Sequence, residues 1–240
     1  MHRIITIGRE FGSGGRELGR RLAETLGFAY YDQEIIREIS KRTSLSEQYV
    51  QAIVEHRPSF SFPIHIAQSF YVLGNPAFEQ TMTIYQEQAR IITEMAAESD
   101  CVIVGRCADY ILKEHKPFRL FVYADMESKI KRCREKGPKE ETLSDKELRQ
   151  KISSIDKKRA KYYAFYTGHP WGDKLNFDLC INTTQTAVKE IVPVIAKLFR
   201  CLPSDDSAAY KHLPFALRLQ AFGFSMAAGR FRRGYFREKA

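Results

Sequence analysis

The sequence lacks the features that would mark a membrane, secreted or zinc-stabilised protein. No stretch approaches the roughly 18 consecutive apolar residues of a membrane span, and residues 1–9 have neither the apolar run nor the cleavage site of a signal peptide. The 5 cysteines are scattered, form no CxxC pair and lie beside no histidine cluster, which argues against a disulfide framework and a structural zinc site. We therefore expect a soluble cytoplasmic protein with reduced thiols, no membrane partner and no residue that serves as a metal ligand.

Positive charge and an ordinary apolar content are what the sequence does have. Its 240 residues are 44% hydrophobic and 28% charged, which suffices for one well-filled core and excludes disorder throughout. Lys and Arg number 38 against 29 Asp and Glu, and the formal net charge at pH 7 is +9. This excess indicates an anionic partner, whether a nucleotide, a nucleic acid or a lipid head group.

Two segments of different character are predicted, a domain over residues 1–202 and a basic extension over residues 203–240. Proline and short polar residues at 203–207 favour the turn that separates them. Residues 230–237 interleave cations with aromatic rings, as proteins that bind single-stranded nucleic acid do. Nucleic-acid binding through the extension is therefore one alternative, and a packed helix or a solubilising end are the others.

The pattern within the domain predicts an α/β fold. Short apolar runs typical of strands occur at residues 3–7, 28–31, 101–104, 118–124 and 177–182. Between them are helical patterns at about 16–26, 33–42, 46–55, 77–98, from 127 onwards, and a last one up to about 199. Strands separated by helices of about ten or more residues pair in parallel, because parallel neighbours need a crossover. We therefore predict a three-layer parallel sheet flanked by helices.

A glycine-rich stretch stands between the first predicted strand and the first predicted helix. It reads Gly8-Arg9-Glu10-Phe11-Gly12-Ser13-Gly14-Gly15-Arg16-Glu17. Such a turn lets backbone amides converge on a phosphate, and the positive end of the helix dipole adds to the attraction. Side chains at Gly12, Gly14 or Gly15 would obstruct that approach. We therefore predict that Gly12, Ser13, Gly14, Gly15 and Arg16 bind phosphates, and a flexible tight turn is the alternative.

A resemblance to a known family runs through several stretches in order. They are the glycine-rich stretch from Ile5, Tyr-Tyr-Asp from Tyr30, Val-Ile-Val-Gly-Arg-Cys-Ala-Asp from Val102, Leu-Phe-Val-Tyr-Ala from Leu120, and Asp-Lys-Lys-Arg-Ala from Asp156. Over about residues 3–200 the chain resembles the cytidylate kinase-like family of P-loop nucleoside monophosphate kinases. The resemblance implies a P-loop NTPase-type sheet with a helical monophosphate-binding and lid region. It also implies ATP-dependent phosphoryl transfer, with Mg²⁺, to cytidylate (CMP or dCMP) or a related small acceptor.

The loop departs from an ordinary P-loop, GxxxxGK[ST], at three positions. Gly14 matches the second glycine, but Arg9 stands at the first glycine, Gly15 at the lysine and Arg16 at the hydroxyl residue. The lysine normally reaches the β- and γ-phosphates, and the hydroxyl binds Mg²⁺. Either another cation, Arg16 or Arg9, replaces the lysine, or transfer is weak and the chain is a nucleotide-binding module.

The resemblance also implies an acceptor site, formed by Asp32, Arg37, Arg106 and Asp109, with Arg106 on the monophosphate. Asp32 ends the second predicted strand and Arg106 follows the third, and open α/β sheets bind ligands at the carboxyl ends of their strands. Each residue has a structural alternative. Asp32 could hold a basic residue in place or be an N-cap, Arg37 could be a surface helix charge, and Arg106 with Asp109 could be a capping pair.

A cation-rich helix before Gly137 resembles the mobile lid of these kinases, whose arginines close over the phosphates as charge develops. We expect Arg132 from this helix and Arg159 from the following one to act with Arg16 as catalytic cations. Asp156 and Arg159 are three residues apart and could pair on a helix. A surface ion pair is therefore the alternative for Arg159, and a solvated helix face is the alternative for the lid cations.

Overall fold

Five parallel strands form the centre of the fold in a computed structural model of the protein, which describes residues 2–55, 76–136 and 143–202. They are β1 (Ile4–Arg9), β2 (Ala29–Tyr31), β3 (Cys101–Val104), β4 (Phe118–Tyr123) and β5 (Leu179–Asn182). Their order across the sheet is β2-β3-β1-β4-β5, and each neighbouring pair is parallel. The predicted parallel α/β fold is confirmed.

The described residues contain eight α-helices. They are α1 (Gly15–Leu26), α2 (Gln33–Thr43), α3 (Glu47–Glu55), α4 (Pro76–Glu98), α5 (Ala108–Ile111), α6 (Met126–Lys136), α7 (Asp145–Thr167) and α8 (Val188–Cys201). Helices predicted at 33–42, 46–55 and 77–98 correspond to α2, α3 and α4. Among the helices in this part of the chain, none has both the length and the apolar character needed to cross a bilayer.

Burial explains why the sequence pattern identifies these elements. Ile5 and Ile7 in β1 are fully buried, as is every residue of β3, because a parallel sheet is covered on both faces and its strands are uninterrupted apolar runs. Helix α1 buries Leu18 and Leu22 on one face. It ends at Gly27, whose φ of 72° is left-handed and whose amide donates to the Ala23 carbonyl.

The strand order places three carboxyl ends side by side. Strand β3 lies between β2 and β1, with Tyr31 opposite Ile103 and Ile7 opposite Val104. The residues that follow these strands therefore meet at one edge of the sheet. Strand β1 is the central strand, with β2 and β3 on one side of it and β4 and β5 on the other. Ligands of open α/β sheets bind at this place.

The chain divides into two compact units, Met1–Phe199 and Arg200–Ala240. The first unit contains the sheet and the helices up to the last turn of α8. The predicted boundary at 203–207 and the basic extension, with its predicted nucleic-acid-binding sequence, lie outside the described residues. The Gly137-Pro138 break predicted after the lid helix also lies outside them, and α7 begins beyond it with a reciprocal capping box between Ser144 and Glu147.

Candidate functional site

The loop between β1 and α1 presents the first amides of the helix. Gly12 and Gly14 have φ of 75° and 84°, and Gly14 immediately precedes the helix. The first amides of a helix have no intrahelical acceptor. Within the described residues, those of Gly15 and Arg16 donate to no other protein group either. Together with the positive end of the helix dipole, these amides form an anion-binding surface.

The glycines of the loop are also required by the packing of the protein itself. A Cβ at Gly14 would lie 2.7 Å from a Val188 methyl, and one at Gly12 would lie 3.1 Å from the Cβ and the carbonyl oxygen of Lys129. The sequence predicts that these glycines make room for a phosphate. The structure adds a nearer reason, because helices α6 and α8 contact the loop from outside.

A buried ammonium group ties the loop to helices α6 and α7. Lys129 Nζ lies 2.6 Å from Glu10 Oε2 and 3.1 Å from Asp156 Oδ2, and only 7% of its side chain is exposed. The other oxygen of Asp156 accepts from the Phe11 amide at 2.7 Å. Burial raises the pKa of Asp156, although Lys129 and the Phe11 amide both favour its charged form. We call this arrangement the Lys129 bridge. In the sequence Lys129 is only one cation of the cation-rich helix before Gly137, and no local pattern identifies its partners.

Arg132 lies against the same loop. Its guanidinium donates to the Gly12 carbonyl at 3.4 Å and to the Thr183 carbonyl, and the Thr183 hydroxyl in turn donates to the Ser13 carbonyl at 2.7 Å. The Ser13 hydroxyl donates to the Glu10 carbonyl at 2.8 Å. The Ser13 amide also donates to the Glu10 carbonyl, at 3.4 Å, so both polar donors of Ser13 are used inside the loop, and its predicted phosphate contact stays a prediction.

Asp32, at the end of β2, faces the cations of the loop. Its side chain is 4% exposed, with one oxygen 2.5 Å from Arg16 Nε and the other 3.7 Å from Arg9 Nη2. It occupies the N-cap position of α2, but its side chain makes no cap hydrogen bond. The structure thus gives Asp32 the role of a counter-ion. Arg16 reaches it from the mouth of the loop with 59% of its side chain exposed.

Arg9 carries a buried guanidinium into the edge of the sheet. Its side chain is 11% exposed, and burial together with the neighbouring charge of Arg159 lowers its pKa to about 9, against the favourable effect of Asp32. Arg106 and Arg16 lower it further. The group remains a cation at pH 7, in surroundings where arginines outnumber the carboxylate beside it.

Arg106 follows β3 in an unusual backbone conformation. Gly105, Arg106 and Cys107 have φ of 75°, 60° and 54°, so three consecutive residues are left-handed. For the two non-glycine residues this costs about 1–3 kcal/mol each, and such strain concentrates at functional sites. The Arg106 side chain is buried, and it donates to the Val54 carbonyl at 3.5 Å and to Gln51 Oε1 at 3.4 Å.

Arg106, Asp109 and Arg159 line one pocket together with Arg9 and aromatic side chains. Arg159 Nη1 donates to the Arg9 carbonyl at 3.3 Å, so α7 closes the pocket over β1. Asp109 is buried and accepts from the Tyr163 hydroxyl at 2.6 Å. Burial raises the pKa of Asp109 even with this hydrogen bond.

The structure brings together most of the residues predicted for the site, and Arg37 is separate from them. Arg37 lies on α2 with 53% of its side chain exposed, and its guanidinium pairs with Glu34 at 2.6 Å. That is the surface helix charge named above as its alternative. Sequence reasoning missed Tyr163 as the partner of Asp109, because the two are 54 residues apart and no local pattern joins them.

Comparisons with known proteins identify relatives of this architecture. A family model described as the cytidylate kinase-like family matches residues 4–185. The chain is 27% identical to a cytidylate kinase of Thermococcus kodakarensis over 206 residues, covering 85% of this chain and 92% of the relative. It is 24% identical to a cytidylate kinase of Pyrococcus horikoshii, covering 87% and 94%. A crystal structure of an uncharacterized protein from Eubacterium ventriosum superposes with a TM-score of 0.60 at 27% identity, covering 83% of this chain and 99% of that one.

Proposed function

The chain belongs to the cytidylate kinase-like family, and from that premise we propose that it transfers a phosphoryl group from ATP to a nucleoside monophosphate, with cytidylate as the first acceptor to test. The observation that carries the proposal is the juxtaposition at the edge of the sheet. In the part of the chain that the structure describes, the first amides of α1 have no protein acceptor, and the loop that leads to them starts from Arg9, which lines a pocket with Arg106 and Arg159.

The geometry supports a division of labour between two phosphate sites. The amides of Gly15 and Arg16 would hold the donor phosphates, because they point outward at the positive end of α1. Arg106 and Arg159 would hold the acceptor phosphate. The attacking group is then a phosphate oxygen that needs no general base, so these residues accelerate transfer by positioning and by neutralising charge.

The residues present do not form the usual Mg²⁺ site of a P-loop. Arg16 stands where the hydroxyl ligand would be, and a guanidinium has no lone pair for a metal. Within the described residues no group of three or more His, Cys, Asp or Glu side chains could hold a metal. No step is therefore assigned to a protein-bound metal.

A second function is favoured by one specific observation. Glycine stands at position 15, where an ordinary P-loop has its lysine, and the exposed Arg16 beside it already pairs with Asp32. A nucleotide-binding module without transfer activity would have this arrangement. It predicts ATP binding by calorimetry with no product formed.

Steady-state transfer from ATP to CMP, dCMP, UMP, AMP and GMP in turn tests the proposal. The Arg106→Ala variant should raise the acceptor KM about 10- to 100-fold, the worth of a hydrogen bond to a charged group, and leave the KM for ATP unchanged. Arg90→Ala is the matched control, since Arg90 lies on α4 with 67% of its side chain exposed and pairs only with surface carboxylates in the described residues. Absence of turnover with all five acceptors would remove the kinase proposal and leave the binding module.

A further inference from the structure

The stem of Arg9 occupies the space that a side chain at residue 15 would need. A Cβ at Gly15 would lie 2.5 Å from Arg9 Cβ and 3.0 Å from Arg9 Cγ. The backbone of β1 fixes the position of Arg9 Cβ, so this atom cannot move aside without moving the strand. A lysine at position 15 and an arginine at position 9 therefore exclude each other in this loop.

Beyond Gly15, the guanidinium of Arg9 continues across the end of β3. A Cβ at Gly105 would lie 1.6 Å from Arg9 Nη1 and 2.7 Å from Cζ, and the φ of 75° at Gly105 also favours glycine. The side chain thus passes over two glycines, Gly15 near its base and Gly105 at its tip. This path carries a positive charge from the loop into the pocket that Arg106 and Arg159 line.

Arg16, the other cation of the loop, follows a different path. It begins in the first turn of α1, and its Nε lies 2.5 Å from Asp32 with more than half of the side chain exposed. Nothing in its path depends on glycine at position 15. The steric relation to residue 15 is therefore specific to Arg9.

We propose that Arg9 supplies the phosphate-directed cation that an ordinary P-loop places at the position of Gly15, and that residue 15 is glycine because Arg9 fills its side-chain space. The arginine at position 9 and the glycine at position 15 are then one coupled exchange rather than two losses. The inference deepens the proposed function and rests on it for the identity of the ligand. The depressed pKa of Arg9 agrees with it, since a buried guanidinium among other arginines is relieved by a bound anion.

A double-variant cycle tests the coupling. Gly15→Lys alone should lower the melting temperature by about 5 °C, as overpacking of a filled site does, and should abolish ATP binding. Arg9→Gly alone should lower ATP affinity at least tenfold. Arg9→Gly combined with Gly15→Lys should recover both the melting temperature and the ATP affinity to within about threefold of the wild type, because the lysine then has room and replaces the charge.

Arg16→Gly combined with Gly15→Lys is the matched control, because it makes the same kinds of change but leaves the stem of Arg9 in place. It should recover neither property. Arg9→Met keeps the stem without the charge, and Asp32 keeps Arg16 as its partner at 2.5 Å, so this variant should retain the melting temperature and lose ATP affinity. Arg9→Lys should restore part of that affinity. A merely structural role for Arg9 would leave the methionine variant binding ATP normally.

Melting temperature and calorimetric affinity for ATP and for inorganic tripolyphosphate are measured for every variant, so the cycle gives a result even if no monophosphate is a substrate. Absence of turnover would then count against the proposed function alone. The proposal is overturned if the Arg9 and Gly15 double variant is no better than the single variants, if the Arg16 control recovers equally, or if Arg9→Met binds both oligophosphates as the wild type does.

Discussion

Replacing Asp32 by asparagine tests whether this carboxylate is the counter-ion of the loop cations in the absence of ligand. Asp32 is 4% exposed and lies beside Arg9, whose side chain is 11% exposed. Asparagine keeps the size and the helix-start preference of aspartate, so the substitution removes the charge and little else. Arg9 would then be a buried cation with Arg106 and Arg159 as neighbours.

Breaking a buried ion pair by removing one partner costs about 3–5 kcal/mol. For a chain of this size each kcal/mol shifts the melting temperature by about 2–4 °C. We therefore expect Asp32→Asn to melt about 10 °C below the wild type. The contribution of the pair with Arg16 is smaller, because most of that side chain is in solvent.

An added anion should offset part of the loss. Tripolyphosphate replaces the missing negative charge and no longer meets a like charge at Asp32, so the variant should bind it about tenfold more tightly than the wild type does. Tenfold tighter binding returns about 1.4 kcal/mol, so the difference in melting temperature between the two proteins should narrow by about 3–6 °C at saturating tripolyphosphate. Differential scanning fluorimetry over a tripolyphosphate titration measures both effects.

The matched control is Glu38→Gln on the same helix, where a half-exposed carboxylate pairs with Arg42 at 3.0 Å. It should shift the melting temperature by no more than about 3 °C and leave the titration unchanged. An Asp32→Asn protein that melts with the wild type, or that gains no more from tripolyphosphate than the wild type gains, would refute the counter-ion argument.

Two further predictions concern the walls of the loop. Lys129→Met should destabilise the protein by about 3–5 kcal/mol at pH 7, because two carboxylates lose their common cation. The pKa of Asp156, already raised by burial, should rise further in this variant, so the loss of stability is fully present above that pKa and shrinks as the pH falls toward 5. Thermal unfolding across pH 5 to 8 measures this dependence, and a loss of stability that does not change with pH would contradict it. In chemical denaturation, Gly14→Ala should lower the free energy of unfolding much more than Gly27→Ala does. Both positions have positive φ, but only at Gly14 would the new methyl collide with a neighbouring side chain. Equal losses of stability would show that backbone strain alone sets the cost.

The elements of the fold could be predicted because their burial is periodic. Strand β3 is apolar throughout since both of its faces are covered, and α1 repeats its leucines at the spacing of one helix face. The location of the site could also be predicted, because parallel strands gather their carboxyl ends at one edge. Asp32 and Arg106 are predictable at that edge because each follows a strand that the apolar pattern identifies.

The contacts within the site could not be predicted in the same way. Whether Asp32 caps a helix or pairs with arginines depends on where the loop cations lie, and both roles use the same carboxylate. The steric conflict between Arg9 and a side chain at residue 15 depends on the distance between the end of β1 and the start of α1, to within tenths of an ångström. Glu10 and Lys129 are far apart in sequence, so only the packing of α6 against the loop reveals their ion pair.

The Lys129 bridge has a mechanical consequence. The Lys129 ammonium pairs with Glu10 of the loop and Asp156 of α7, and the Lys129 backbone packs against Gly12. The loop, α6 and α7 are therefore connected through one residue. Rotation of α6 as a whole would leave two half-buried carboxylates without a cation. Because Arg132 also donates to the Gly12 carbonyl, a motion that carried Arg134 toward a bound nucleotide would have to begin beyond Arg132, and the preceding part of α6 would stay attached to the loop.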